Sequence, residues 1–277
     1  MRQGLLLALL LPLAAWGMRP LETPQAVPET SGLVGAPYTA PLAGPTPAFV
    51  LPAGNPATLV IIIDDLGNRL KEGRQTVALP GRISVAVLPH TPHGARLAEE
   101  AYRAGKDVML HAPMSTLDQR PLGPGALTAD LSELEFRNTL GAALASVPHV
   151  QGVNNHMGSG LTQQAEPMRW LMTALTERQL YFVDSRTHSA TVAAAAAAEA
   201  GVPHLSRQVF LDNVAQPAAI AERFLDAVEQ ARRHGIAVAI GHPYPETIAF
   251  LQTVLPGLEE QGIHLATVSE VLALAMH

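Results

Sequence analysis

The sequence predicts a parallel α/β fold curled into a full or partial (β/α) barrel, and three observations lead there. Short apolar, β-branched runs recur from about residue 58 onward, amphipathic stretches of helical period separate them, and polar side chains fall just past several of the runs. Runs that are apolar at every position suit strands buried on both faces. Alternation of strand and helix means a parallel sheet with helices outside, and about eight repeats suggest a barrel, with an open doubly wound sheet as the competing geometry.

The elements follow in order. Met1-Arg2-Gln3 is a short basic start, and the apolar run after it (GLLLALLLPLAAW) is shorter than the roughly 20 residues a membrane span needs. Residues 1–18 therefore read as a secretory signal or an N-terminal anchor, and predict export to a periplasmic or extracellular location. Over 19–57 nine prolines recur, at 20, 24, 28, 37, 41, 45, 47, 52 and 56, a density that blocks helix and ladder alike and predicts a linker. The folded domain is expected over 58–277. Its strands are predicted at 59–63, 83–88, 107–110, 149–153, 180–183, 208–211, 236–240 and 264–267. Helices are predicted at 94–104, 131–145, 166–177, 190–200, 217–233 and 247–260. Ser132 with Glu135 has capping-box spacing, and Gly235 stands where a helix should stop.

Composition removes several functions. With 48% hydrophobic and 15% charged residues the chain can bury a large core. A net charge of −6 without a Lys/Arg cluster excludes a nucleic-acid face, which needs concentrated positive charge. There is no cysteine, so disulfides, thiolate metal ligands and thiol nucleophiles are excluded. No phosphate-binding Gly-rich loop, G-x-S-x-G elbow or H-E-x-x-H helix occurs.

What remains is the set of polar residues after the apolar runs: Asp64-Asp65, His111, Asn154-Asn155-His156, Asp184-Ser185 and Gly241-His242. Functional groups of parallel α/β folds collect at the carboxyl ends of strands. Adjacent strand residues point to opposite sides, so Asp64 and Asp65 reach one site only through special geometry at the strand end. Two imidazoles and a carboxylate make a hydrolytic zinc site, and without cysteine Mn²⁺ or Co²⁺ is also compatible. His242, held between Gly241 and Pro243, suits a proton donor. Asp184 is expected either to orient a histidine or bind substrate, or else to cap the segment after it; Asp212 is a weaker candidate. His90-Thr-Pro-His93 has a spacing that invites a metal reading, but it lies in a turn opening a helix.

These residues occur in segments that resemble a known family. Ile61-Ile-Ile-Asp-Asp-Leu-Gly67, Ile83-Ser-Val-Ala-Val-Leu-Pro89, Leu110-His-Ala-Pro-Met114, Gly152-Val-Asn-Asn-His-Met-Gly-Ser159, Tyr181-Phe-Val-Asp-Ser185 and Ile240-Gly-His-Pro243 are similar to the divergent polysaccharide deacetylases, a remote branch of the NodB-like carbohydrate esterases. The resemblance implies a distorted (β/α) barrel of the NodB-like type. It implies a divalent metal, zinc foremost, held by Asp65, His111 and His156, with Asp64 as base and His242 as acid. It also implies a polysaccharide substrate that loses an acyl, typically acetyl, group. Two features of ordinary members are absent: a short H-x-x-x-H segment and an Arg-Pro-Pro-Tyr loop. That departure leaves two rival readings, a metal-containing envelope binding protein without catalysis and a hydrolase of another acyl or amide bond. A membrane tether through the N-terminus is compatible with either. Oligomeric state is not readable from the sequence.

Overall fold

The structure is a computed structural model and describes Gly54 and residues 57–275. The expected leader over 1–18 and nearly all of the Pro-rich stretch lie outside the described residues. No described helix is long and apolar enough to cross a membrane.

The sheet grows outward from β1 (Ala57–Leu66), whose residues Leu59 to Ile63 are all fully buried. Burial of such side chains stabilises by roughly 1.5–3 kcal/mol each. One edge of β1 pairs in parallel with β8 (Ile236–Gly241). The other edge is divided: Ala57 to Val60 pair with β9 (Ile263–Ala266), and Ile62 onward pairs with β2 (Ser84–Val87). Beyond β2 lie β3 (Asp107–Met114), β4 (Gly152–Met157), β5 (Tyr181–Asp184) and β6 (His204–Ser206), and beyond β8 lies β7 (Val209–Phe210), every pair parallel.

The two ends of this path are β6 and β7, yet only Arg207 and Gln208 separate them in the chain. Two residues span at most about 7 Å, so the sheet must curl until its ends adjoin. The backbone confirms the seam: Arg207 N–H donates to Asp184 O on one side and Gln208 N–H to Val238 O on the other. The guanidinium of Arg207 braces it, donating to the carbonyls of Ser185 at 2.6 Å and Arg186 at 2.7 Å. The expected distorted (β/α) barrel is the observed fold.

Helices cover the outside: α1 (Leu70–Val77), α2 (Gly94–Arg103), α3 (Glu133–Ala145), α4 (Ala165–Thr176), α5 (Ala193–Glu199), α6 (Pro217–His234) and α7 (Pro245–Val254). A final helix, α8 (Val268–Ala275), instead places Val268 and Leu272 in the inner cluster with Val60, Ile62, Met109, Tyr181 and Ile240. Alternate β1 residues Leu59, Ile61 and Ile63 belong to the larger cluster beneath the helices. The Ser132–Glu135 capping box and the left-handed Gly235 stop are both present.

Three expectations are corrected. Helices α1 and α8 and strand β6, all short, were not among the predicted elements. The helix anticipated over 247–260 ends at Val254 and continues as 3₁₀ turns, because Pro256 cannot extend it. Strands three and four run through the polar residues, to Met114 and Met157, rather than stopping before them. The mouth of the barrel is lined with polar side chains, so hydrophobicity underestimates strand length there.

Candidate metal centre

Parity along β1 turns Val60 and Ile62 inward, and Asp64 follows them. Asp65 should then face the helices, but a bulge intervenes. Ile63 pairs with Val85 and Leu66 with Val87, so three steps on β1 match two on β2. Asp65 takes a left-handed φ of 59°, which an aspartate tolerates better than a branched residue. Gly67, at φ 131°, then brings the chain so close to Thr91 that a Cβ would sit 2.1 Å from its Oγ1. This local irregularity is what lets neighbouring aspartates serve one site.

On β3 and β4, His111 pairs in register with Asn154 and Pro113 with His156. Residues two apart share a face, so both histidines and Asn154 look into the mouth. Asp65 Oδ1 lies 3.1 Å from His111 Nε2 and 2.9 Å from His156 Nδ1, and the two nitrogens are 3.1 Å apart. This is the one metal-capable grouping among the described residues.

The surrounding hydrogen bonds assign the protons. Asn154 Nδ2 donates to Asp64 Oδ1 at 2.8 Å, which leaves Asn154 Oδ1 to accept from His111 Nδ1 at 2.7 Å. With Nδ1 bonded to Asn154, His111 turns Nε2 toward the cluster, the second-sphere arrangement that aims an imidazole at a metal. Asp65 Oδ1 is buried, and no N–H is directed at it. Three ligand atoms converge, and a cation satisfies them together. Donors 2.0–2.1 Å from a common ion lie about 3.3 Å apart in a tetrahedron and about 3.0 Å apart in an octahedron. The observed edges fit such an ion.

Electrostatics follow the same pattern. Burial pushes the Asp64 carboxyl above its ordinary value, with His111 and His242 pulling against it. Burial acts on Asp65 in the same direction, but His111 and His156 outweigh it and hold that carboxyl far below the usual range. His111, despite burial, is raised by Asp64 and Asp65.

His242 leaves the end of β8 on the other flank of β1. Its Nδ1 contacts Asp212 Oδ1 at 2.8 Å, and its backbone N–H donates to Asp212 Oδ2 at 2.6 Å. Thr247 Oγ1 donates to that same Oδ2 at 2.7 Å. Burial lowers the His242 pKa, but Asp212 overrides it and the value rises to about 9. Phe210 and Tyr244 flank the ring, with centroids at 6.2 and 5.6 Å.

Five of the six predicted site residues thus gather at the mouth. Asp184 does not join them. On β5 it follows Phe182 in facing the helices, and its carboxylate accepts from the Arg186 N–H at 2.8 Å and from Thr191 Oγ1 at 3.0 Å. It caps its own loop, and orienting a histidine falls to Asp212. Asn154 had no predicted role, although its place two residues before His156 is the signal that could have found it. His93 precedes α2 and His90 stands in the loop before it, so neither joins the cluster.

Comparison with known proteins places the chain in a family and a fold. Residues 61–272 match the model of the divergent polysaccharide deacetylase family. The uncharacterized protein YibQ of Escherichia coli K12 is 41% identical over 200 residues, covering 72% of this chain and 63% of that protein. The chain therefore spans less than two thirds of that relative's length. An uncharacterized protein of Haemophilus influenzae is 41% identical over 202 residues, covering 73% and 72%. Among solved structures, the uncharacterized protein ATU2773 from Agrobacterium tumefaciens C58 superimposes with a TM-score of 0.75 at 21% identity, covering 78% of this chain and 89% of its own, and shares the fold. On the extent of the family match and these identities, the chain belongs to the divergent polysaccharide deacetylases.

Proposed function

We propose that this protein is a metal-dependent hydrolase that removes an acyl group from an envelope polysaccharide. The observation that carries the reading is the convergence of Asp65, His111 and His156 on one point, with Asp64 beside them and a carboxylate-held histidine across the mouth. Family membership supports the polysaccharide, and the leader-like N-terminus supports the envelope.

Asp65, His111 and His156 would hold the ion, zinc in the first instance and Mn²⁺ or Co²⁺ otherwise. A divalent cation there supplies a Lewis acid that polarises an acyl carbonyl and acidifies water. Asp64, kept off the ligand set by its bond from Asn154, accepts a proton from the attacking water. The water oxygen bonds to the acyl carbon, the carbon–nitrogen or carbon–oxygen bond to the sugar breaks, and His242 gives a proton to the departing atom. Asp212 keeps His242 charged at neutral pH, which a proton donor requires.

The test uses the full chain. Metal content is measured after purification, and release of carboxylic acid is followed on peptidoglycan, chitooligosaccharide and xylan fragments. About one ion per chain with acid release is the expected result. An ion with no release from any acylated glycan or ester overturns the hydrolase and leaves a metal-containing binding protein.

A further inference from the structure

We infer that the polysaccharide is anionic and presents a carboxylate or phosphate to Arg186 and Arg207, at the seam of the barrel mouth. The inference rests on the polysaccharide of the reading above and names the chemistry of that chain.

Leu205 packs on the inner cluster, so Arg207, two residues on, faces the same way at the carboxyl end of β5. Of its five N–H donors, Nε serves the Ser185 carbonyl and Nη2 the Arg186 carbonyl. Three remain without a partner among the described residues. Arg186 follows β5 with a left-handed φ of 47°, and its exposed side chain bonds to none of the described residues. Ten other described arginines, Arg74, Arg82 and Arg137 among them, have a carboxylate within 4.0 Å, but these two have none.

The nearby carboxylates are spent. Burial lowers the pKa of Arg207 to about 10, Arg186 pushes the same way, and Asp184 and Asp64 oppose both. Asp184 is buried and already accepts from the Arg186 N–H and the Thr191 hydroxyl. Asp226 and Glu229, in a cleft that Arg207 shares with α6, pair with Arg223 and Arg233. Two cations without a counter-ion repel, and an oxyanion beside them offsets that cost. The guanidinium fork matches carboxylate and phosphate geometry.

The path of the substrate leads there. His242 must face the leaving atom, so the departing sugar lies on the β8 flank. Phe210 stacks on His242 with centroids 6.2 Å apart, and the Arg207 guanidinium carbon lies 3.7 Å from the centre of that phenyl ring. The guanidinium carbon is therefore within about 10 Å of the imidazole centre, the sum of the two separations. A glycan running from the proton donor along Phe210 meets Arg207 at the seam.

The experiment measures binding to the purified full chain by calorimetry, with tetragalacturonate, phosphorylated maltotetraose and uncharged maltotetraose as probes. A charged probe should bind at least about tenfold tighter than maltotetraose at low ionic strength, a gain that salt screens away. Which charged probe gains tells carboxylate from phosphate. Arg186→Glu, with folding checked by its melting temperature, should erase the gain. A gain that survives Arg186→Glu belongs to the metal and overturns the assignment. Acid release is followed in parallel on O-acetylated oligogalacturonate and O-acetylated xylooligosaccharide. Release with equal affinity for charged and uncharged probes overturns the anionic substrate and leaves the hydrolase standing. Charge-selective binding lost in Arg186→Glu, with no release from either ester, overturns the hydrolase and leaves the anion site standing. Equal affinity and no release overturn both.

Discussion

The two ends of the barrel each bury a carboxylate among polar partners, and the partners differ in kind. At the floor, Asp107 Oδ2 is met by donors: Tyr181 Oη at 2.9 Å, Ser269 N–H at 2.9 Å and Ser84 Oγ at 3.4 Å. Nearby Lys106 spends its ammonium on the carbonyls of Leu79 at 2.6 Å and Gly81 at 2.7 Å. The result ties the start of α8 into the barrel as a plug. At the mouth, Asp65 Oδ1 is met by imidazole nitrogens that direct no proton at it. Asp107 Oδ1 also lacks a partner, but no cluster of ligand atoms converges on it. Burial raises Asp64 and Asp107 alike, so a displaced pKa does not distinguish a working carboxylate from a structural one. The neighbours do: donors close the network around Asp107, whereas Asp65 stands in a cluster of three atoms that could ligate one cation.

Breaking the mouth should therefore cost chemistry, and breaking the floor should cost stability. The largest effect is expected from Asp65→Ala, which removes the central acceptor. Metal content by atomic emission should fall from about one ion to near none, and full occupancy in this variant would end the ligand assignment. Next, Asp64→Asn should keep its metal and lose about 10²–10⁴-fold in kcat, the range of a general base; unchanged turnover would place the base elsewhere.

Asp212→Asn tests the proton donor through its pH profile. With a pKa of about 9, His242 is protonated below that pH and activity declines as pH rises through it. Without the Asp212 charge the value should fall toward the ordinary 6.5 or so, and activity at pH 8 should drop roughly 30-fold while activity near pH 5.5 changes far less. An alkaline limb that stays near 9 would remove Asp212 from that role. The smallest effect belongs to the floor: Asp107→Ala strands the Tyr181 hydroxyl and the Ser269 amide and should destabilise by about 1–3 kcal/mol in denaturant titration. Metal content should be unchanged, and loss of metal in this variant would erase the contrast between the two ends.

Much of this was legible in the linear pattern. β1 and β8 were readable because both faces are buried and every residue must be apolar. The mouth residues were readable because Asp64, His111, His156 and His242 interrupt or end such runs. Strand lengths were less legible, since β3 and β4 continue through polar residues whose partners, such as Asn154 for His111, come from neighbouring strands. Asp184 shows the limit: its position after a strand matches that of the others, but parity turns it toward the helices.

The sequence alone determined the parallel α/β architecture and the residues available for chemistry, because periodicity and the polar interruption of apolar runs are local properties. Only the tertiary structure decided that Asp65 swings inward at a bulge, that Asp212 rather than Asp184 holds a histidine, and that the sheet curls until β6 meets β7. Each of those depends on which strand lies beside which and in what register, and register is a relation between distant segments that neither segment records by itself.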